Sequence, residues 1–320
     1  MLNVFFTVDI QTDFNDWTEV DLHFADAFQR SIYGPTKQGN CALPLIFDVL
    51  NDYGLTGSFF VESLFALHFG LEPLQEEVSL VREAGQEIQL LVQPEWVNQS
   101  MIHLFDEDLP HKALMSDLTL EQQTKLIEVG LELFKRAGVE QINAFRAGGY
   151  AVNRNTLKAL RANGIIIDSS YNKASKIGTS DLLSEQLLLQ PSLLDGVMIY
   201  PVSVFGDNNE QNLRALQLTT CSYREFECVL FQAVENEWDS VVIVAQSVVL
   251  MTQGQERLDS IVFKRFKNLC KLIADNPDLF NVRGFTGLES QAVTQQPAVP
   301  VSGQLNRYLR IGEQAIRRVV

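Results

Sequence analysis

Four polar side chains stand where apolar, strand-like runs of the sequence end, and they are the residues best placed to do chemistry: Asp9, Arg146, Asp168 and Gln246. In an α/β barrel the carboxyl ends of the strands meet at one mouth, where active sites lie. We therefore expect these side chains to converge. Arg146 would clamp a carboxylate with two parallel hydrogen bonds, and Asp9 and Asp168 are both candidates for its partner.

Residues 86–93 form an apolar, strand-like run. The side chains at 91 and 93, near its end, decide whether a metal ion can bind there. A strand places alternate residues on one face, so Leu91 and Gln93 project together where the run reaches its loop. Two histidines at this spacing would hold a metal ion. Leucine has no lone pair to offer, and a carboxamide is a poor ligand for zinc-type ions. The sequence thus predicts no bound cofactor of this kind.

Two alternatives for a metal remain open. Oxygen atoms could hold a hard divalent cation weakly, and the candidates are Asp9, Asp13, Glu95 and Asp168. Alternatively, His103 or His111, both in the loop region after the 86–93 run, could supply a relocated site.

Composition narrows the class of partner. The 320 residues are 46% hydrophobic and carry a net charge of −15, which argues against nucleic acid or an anionic membrane as partner. No apolar run approaches the roughly 20 residues of a membrane span, and the start lacks the basic region of a secretion signal. The four cysteines form no CxxC pair, so we expect reduced thiols and a cytoplasmic protein.

The elements that must position the site alternate along the chain. We predict strands at 2–8, 56–61, 86–93, 141–145, 165–167, 197–200, 240–245 and 281–285. Helices are predicted at 43–53, 74–83, 120–137, 156–163, 224–235 and 261–275. Short apolar strands alternating with helices are typical of parallel βα units. We therefore predict one irregular α/β barrel over 1–288, with a long loop before residue 39, followed by a linker at 289–304.

A short basic, amphipathic helix is predicted at 305–320. It would either dock back on the acidic barrel or contact a partner or a membrane surface.

Several motifs together resemble one known family. These are FFTVD at 5–9, GQEI at 85–88, PEW at 94–96, FRAGGY at 145–150, NTL at 155–157, IIIDSSY at 165–171 and YPVS at 200–203. They are similar to the motifs of the polysaccharide deacetylase (NodB-homology) family over about residues 1–250. The resemblance implies an irregular (β/α)7-type barrel whose enzymes hydrolyse N-acetyl groups of amino-sugar polymers with a divalent ion.

The resemblance also implies roles for individual positions. Asp9 matches the catalytic base, Arg146 the arginine that orients it, and Asp168 the aspartate of the Asp-Ser-Ser turn. Leu91 and Gln93 occupy the places of the two metal-binding histidines, and Gln246 that of the histidine acid. The acidic metal ligand would fall at Ile10 or Gln11, with Asp13 nearby. The expected glycan-binding groups are Trp96, Gly148, Gly149, Tyr150, Tyr171 and Gln246.

A family scaffold without its imidazoles predicts a pseudoenzyme. Without the ion the attacking water keeps a high pKa, and glutamine cannot carry a proton at neutral pH. We expect binding of an amino-sugar glycan or of a protein partner in surface-polysaccharide or cell-envelope metabolism. The alternatives are an active N-acetyl hydrolase with an unconventional metal site, and a scaffold protein recruited through its C-terminal helix.

Overall fold

The apolar runs form parallel strands, as their alternation with helices predicted. The computed structural model describes residues 1–12, 14, 17–110, 113–175, 182, 187–289 and 291–319. The strands within them are β1 (Leu2–Ile10), β2 (Pro35–Thr36), β3 (Gly39–Asn40), β4 (Gly57–Glu62), β5 (Glu87–Val92), β6 (Ala144–Ala147), β7 (Ile167–Asp168), β8 (Ser192–Leu194), β9 (Val197–Ile199), β10 (Val204–Gly206), β11 (Leu213–Ala215), β12 (Ser240–Gln246) and β13 (Phe280–Val282).

Helices connect these strands, and several start at capping residues that the sequence displays. They are α1 (Val20–Ile32), α2 (Leu43–Asp52), α3 (Ala66–Phe69), α4 (Glu72–Glu83), α5 (Leu120–Arg136), α6 (Arg154–Ala162), α7 (Tyr223–Glu235), α8 (Ser260–Ala274) and α9 (Gly303–Val319). The predicted capping box of α5 is present: the Thr119 hydroxyl accepts from the Gln122 amide, and the Gln122 side chain accepts from the Thr119 amide.

One sheet dominates the described residues and curls into an irregular barrel. Its order is β12-β1-β4-β5-β6-β7-β9-β8, β13 also pairs with β1, and all pairs are parallel except β8–β9. Backbone hydrogen bonds from Ser203 and Leu216–Leu218 to β12 span the remaining gap. The predicted irregular α/β barrel is therefore confirmed.

Two apolar clusters show which strand faces point inward. Phe5, Phe60, Leu91 and Phe285 belong to a buried cluster inside the barrel, whereas the larger cluster lies between the strands and the helices. Phe285 stacks on Phe5 at 4.6 Å between ring centroids and plugs the end of the barrel where the strands begin.

The long loop predicted before residue 39 is wrong, because α1 occupies half of it. Apolar residues recur at helical spacing on its buried side: Val20, Phe24, Ala27, Phe28 and Ile32. The helix start carries no capping signal, since its N-cap, Glu19, makes no side-chain cap bond. The helical spacing of these apolar residues was therefore the one feature of the sequence that indicated α1.

The C-terminal helix docks on the barrel through its charged side. Arg310 pairs with Asp207 and with the buried Glu225, the latter at 2.8 Å, and Arg317 pairs with Asp259 at 2.7 Å. Of the two predicted alternatives, docking on the acidic barrel is what the structure shows. The opposite side leaves apolar residues in solvent: Leu305, Tyr308, Leu309, Ile311 and Ile316.

Candidate functional site

Asp9 and Arg146 meet inside the mouth of the barrel. Asp9 lies near the end of β1, and Arg146 lies within β6. In the sheet, β4 and β5 stand between these two strands. The Arg146 Nη1 donates to Asp9 Oδ1 at 2.7 Å, and the arginine side chain is fully buried. Asp9, not Asp168, is therefore the hydrogen-bonded partner of the arginine.

Arg146 is held by bonds and ring contacts on every side. It donates to Thr7 Oγ1 at 2.9 Å, to the Ser169 carbonyl at 2.9 Å and to Ser169 Oγ at 3.0 Å. The guanidinium carbon lies 4.2 Å from the Phe60 ring centroid. A planar cation fixed in this way holds the Asp9 carboxylate in one orientation.

The pKa of Asp9 is set by two opposing influences. Burial raises it from its usual value because a low-dielectric surrounding disfavours the charged form, whereas the positive charge and hydrogen bond of Arg146 lower it. The net direction is upward. A buried carboxyl with a raised pKa is the type of group that serves as a general base.

The turn after β6 brings a third group to Asp9. Gly148 packs against Gln93 so closely that a Cβ would lie 2.9 Å from Gln93 Cγ. Gly149 and Tyr150 both have positive φ, at 64° and 62°, which is strained for tyrosine. The Tyr150 hydroxyl reaches 3.5 Å from Asp9 Oδ2. A side chain at position 148 would therefore collide with Gln93.

The two positions at which the resemblance places metal-binding histidines offer one carboxamide and no imidazole. Leu91 is 1% exposed and belongs to the apolar cluster inside the barrel. Gln93 is buried, and its Nε2 donates to Gln11 Oε1 at 3.1 Å. Its own Oε1 has no hydrogen-bond partner. One carboxamide oxygen beside a hydrocarbon does not fit a zinc-type ion.

The relocated and oxygen-only metal sites find no support in the described part of the chain. No three His, Cys, Asp or Glu side chains come together there in a way that could hold an ion. Asp13 and His111 lie outside the described residues. His103 lines a groove on the outer surface of α5, and Asp9 already binds Arg146.

Asp168 turns away from the arginine. Its Oδ1 accepts from Ser170 Oγ at 2.5 Å, and its Oδ2 is buried without a hydrogen-bond partner. Burial raises the pKa of Asp168 to about 6, against the lowering effect of the Ser170 hydrogen bonds. Ser170 Oγ also accepts from the Ala147 amide. Through Ser170, Asp168 therefore links the end of β7 to the end of β6.

Glu62 is a buried acid of the mouth that the sequence did not reveal. It ends β4 beside Leu91, and its carboxylate accepts from the amides of Leu64 at 2.8 Å and Phe65 at 3.2 Å. Burial nonetheless raises the pKa of Glu62 to about 8. The one available signal was an acid directly after the apolar residues 59–61.

The aromatic residues expected to stack on sugars differ in exposure. Trp96 is 1% exposed and lies among aromatic rings that include Trp17 and Phe24, so it offers no ring face to a ligand. Tyr171 is buried as well. The sugar-stacking expectation for these two residues is wrong in this structure, because their rings complete the core. Tyr150 is half-buried at the mouth.

Gln246 is exposed, whereas Asp9, Arg146 and Asp168 are buried. It ends β12 directly beside Asp9, with which it is in register, while the rest of β12 is buried. Its carboxamide can exchange hydrogen bonds with a ligand but cannot donate a proton as an acid would.

Comparisons with known proteins match the fold. No family model matches the chain, and no curated protein does. Among solved structures, a 4-alpha-glucanotransferase from Thermococcus litoralis is 10% identical with a TM-score of 0.51, covering 93% of this chain and 42% of that one. This likeness shows a shared fold and nothing about activity.

Carbohydrate deacetylases also appear among the matching structures. A protein from Mycobacterium smegmatis assigned as a polysaccharide deacetylase is 18% identical with a TM-score of 0.49, covering 90% of this chain and 95% of that one. A family 4 carbohydrate esterase (CE4) pseudoenzyme from Bacillus anthracis is 8% identical with a TM-score of 0.45, covering 90% of this chain and 66% of that one. This chain is similar to CE4 deacetylases. These structures belong to the family that the sequence motifs resemble. Their identities and TM-scores support no conclusion about the activity of this chain.

Proposed function

We propose that this chain is a catalytically silent, deacetylase-like barrel that binds an amino-sugar glycan in surface-polysaccharide or cell-envelope metabolism. The observation that carries the proposal is the state of positions 91 and 93. A buried leucine and a glutamine hydrogen-bonded to Gln11 stand where the resemblance places metal-binding histidines.

Two further positions work against turnover. Gln246 stands where the resemblance places the acid, and no protonation state of its amide supplies a proton near neutral pH. Asp9 retains the position of the base. Among the described residues, no group of three His, Cys, Asp or Glu side chains could hold a metal ion that would polarise an acetyl carbonyl. Metal assistance and acid catalysis each contribute many-fold to such a hydrolysis, so their loss leaves a binding site.

Retention of the remaining mouth supports binding. Asp9, Arg146 and Tyr150 keep a fixed hydrogen-bonded arrangement, and Gln246 beside them is open to solvent. Fixed polar groups at the carboxyl ends of barrel strands are suited to sugar hydroxyl and amide groups.

A deacetylation assay tests the silent state. The wild-type protein is incubated with chitotetraose in the presence of Zn²⁺, Co²⁺ or Ni²⁺, and released acetate is measured by mass spectrometry. We expect release no faster than in a protein-free control. Turnover that disappears in Asp9→Asn would overturn the proposal in favour of an active hydrolase with an unconventional site.

The C-terminal helix supports a second candidate function, recruitment by another protein. Its docked side is charged and its free side is apolar: Leu305 is 73% and Tyr308 67% exposed. None of the helices in the described residues has both the length and the apolar character required to cross a membrane.

Surface variants test recruitment without removing the helix. Leu305→Gln/Leu309→Gln/Ile316→Gln leaves the ion pairs of Arg310 and Arg317 in place. If the helix recruits a partner, a protein captured from the source cell by the wild type is lost with this variant. It is retained with a matched control, Leu22→Gln/Leu193→Gln, which changes exposed leucines elsewhere.

A further inference from the structure

A polar cavity of about 360 Å³ lies beside Gln246. It is enclosed by the end of β1, by α1 and by the turn that follows β12. Its volume falls at the lower end of the range of small-ligand pockets, about 300–1,000 Å³. Among its lining side chains are Gln11, Arg30, Gln246, Ser247, Gln253 and Gln255.

The lining is unusual for this chain. The protein has 40 acidic residues against 25 basic ones, yet none of the described side chains that line the cavity carries a carboxylate. Four carboxamides and the hydroxyls of Ser31 and Ser247 supply paired donors and acceptors, which suits the hydroxyl and acetamido groups of a sugar.

Arg30 adds the single positive charge of this lining. It lies in the last turn of α1, is exposed, and forms no ion pair with any described carboxylate. A guanidinium in this state can take a carboxylate through two parallel hydrogen bonds. The turn at 252–255 lines the opposite side of the cavity. Within it the Gln255 amide donates to the Thr252 carbonyl at 2.7 Å, and Gln255 has a positive φ of 54°.

The cavity adjoins the mouth described above. Gln246 contributes to both, since it lines the cavity and pairs in register with Asp9. Gln11 also lines the cavity and accepts from Gln93, the residue that replaces a metal ligand. Gln246 and Gln11 therefore connect the cavity to the mouth.

We propose that this cavity binds an acidic sugar residue, a uronic acid next to an N-acetylated amino sugar, with its carboxylate on Arg30. The inference rests on the proposed glycan-binding function and narrows it to acidic amino-sugar polymers. Of the residues that make it specific, Arg30, Gln253 and Gln255 were not among the site residues expected from the sequence.

Isothermal titration with two defined tetrasaccharides tests the inference. The probes are chitotetraose, which is neutral, and a hyaluronan tetrasaccharide, which alternates glucuronate with N-acetylglucosamine. We expect the wild type to bind the acidic probe about tenfold more tightly. Arg30→Gln removes this preference, so that this variant binds both probes equally, and Arg30→Lys retains part of the preference. Arg136→Gln, an exposed arginine on α5 outside the cavity, serves as the matched control and changes neither affinity.

The outcomes separate the two proposals. If both probes bind equally, or if Arg30→Gln keeps the preference, the acidic-sugar assignment is wrong while glycan binding stands. If neither probe binds to the wild type, the proposed function fails, and the assignment of the cavity fails with it.

Discussion

The two ends of strand β5 carry similar residues and use them in opposite ways. Glu87 and Gln89 face the inside of the barrel where the strands begin, and Gln93 does so at the mouth. Glu87 accepts from Ser58 Oγ at 2.6 Å and from the amides of Phe285 at 2.8 Å and Thr286 at 2.7 Å. The Glu87 carboxylate is therefore saturated with hydrogen bonds.

Gln93 is not saturated. Its Oε1 is buried at the mouth without a hydrogen-bond partner, as is Asp168 Oδ2 at the end of β7. Such groups reduce stability, and proteins retain them where a site is functional or has been functional. The bonded Glu87 serves the fold, as residues at the closed end do in α/β barrels generally, and the unpartnered oxygen of Gln93 supports the proposal that the mouth has lost its catalytic chemistry.

The largest effect is expected from Arg146→Met, which breaks the one buried ion pair of the mouth. Asp9 would lose its compensating charge, so its pKa rises further and the protein loses about 4 kcal/mol of unfolding free energy. Arg154→Met, which removes an exposed pair with Asp195, is the control and changes stability by less than about 1 kcal/mol. Equal effects in chemical denaturation would show that the buried pair does not hold the mouth together.

At the closed end, Glu87→Ala tests whether saturation supports the fold. It removes the acceptor of two backbone amides and two hydroxyls, which should lower the unfolding free energy by about 3 kcal/mol. Glu83→Ala, exposed on α4, should change it by less than about 0.5 kcal/mol. A loss below about 1 kcal/mol for Glu87→Ala would remove the contrast between the two ends.

The buried acid Glu62 should make stability depend on pH. Its pKa in the folded protein is about 8, above the ordinary value of 4.5, so the folded state binds more protons between these limits. Stability therefore falls as pH rises through this window, by about 2 kcal/mol between pH 5 and 7. Glu62→Gln should remove the share of this slope that Glu62 contributes and leave the shares of Asp9, Glu77 and Asp168, whose pKa values burial also raises. Glu121→Gln on the surface of α5 should keep the full slope. A slope that is unchanged in Glu62→Gln would assign the titration to the other groups.

The sharpest comparison uses one substitution at both ends of β5. Gln89 Oε1 accepts from the amides of Asn143 and Ala144, so Gln89→Leu leaves both unpaired and costs about 2 kcal/mol. Gln93→Leu removes one bond to Gln11 and also the unpartnered oxygen, and should change stability by less than about 0.5 kcal/mol. If thermal denaturation shows equal losses, the hydrogen bonds of the mouth contribute as much to stability as those of the closed end.

Sequence patterns revealed the strands more completely than the site. Apolar runs of strand length identify β1, β4 and β12 because parallel strands are buried on both faces. They cannot report distances across the barrel, so the choice between Asp9 and Asp168 as partner of Arg146 stayed open until the structure placed them. The burial of Trp96 also depends on α1, which contributes Phe24 to its surroundings. The start of α1 has no capping residue that would mark it in the sequence.

Some features of the site had no sequence signal of their own. The cavity beside Gln246 is built from three separate segments, and only the fold brings Arg30 and Gln253 together. The sequence also shows neither the positive φ of Tyr150 nor the close approach of Gly148 to Gln93, which joins the turn after β6 to the residue after β5. The resemblance to deacetylases singled out positions 91 and 93, and the geometry shows a buried leucine and a glutamine bonded to Gln11 at these positions.

The most direct measurement of the central claim is a zinc titration of the wild type and of Leu91→His/Gln93→His by calorimetry, with metal content of both proteins determined after purification. If the mouth has lost its metal site through these two residues, the wild type holds no stoichiometric zinc and shows no saturable binding, whereas the double variant gains a site with one zinc per chain. Stoichiometric zinc in the wild type, lost in Asp9→Asn, would contradict the account.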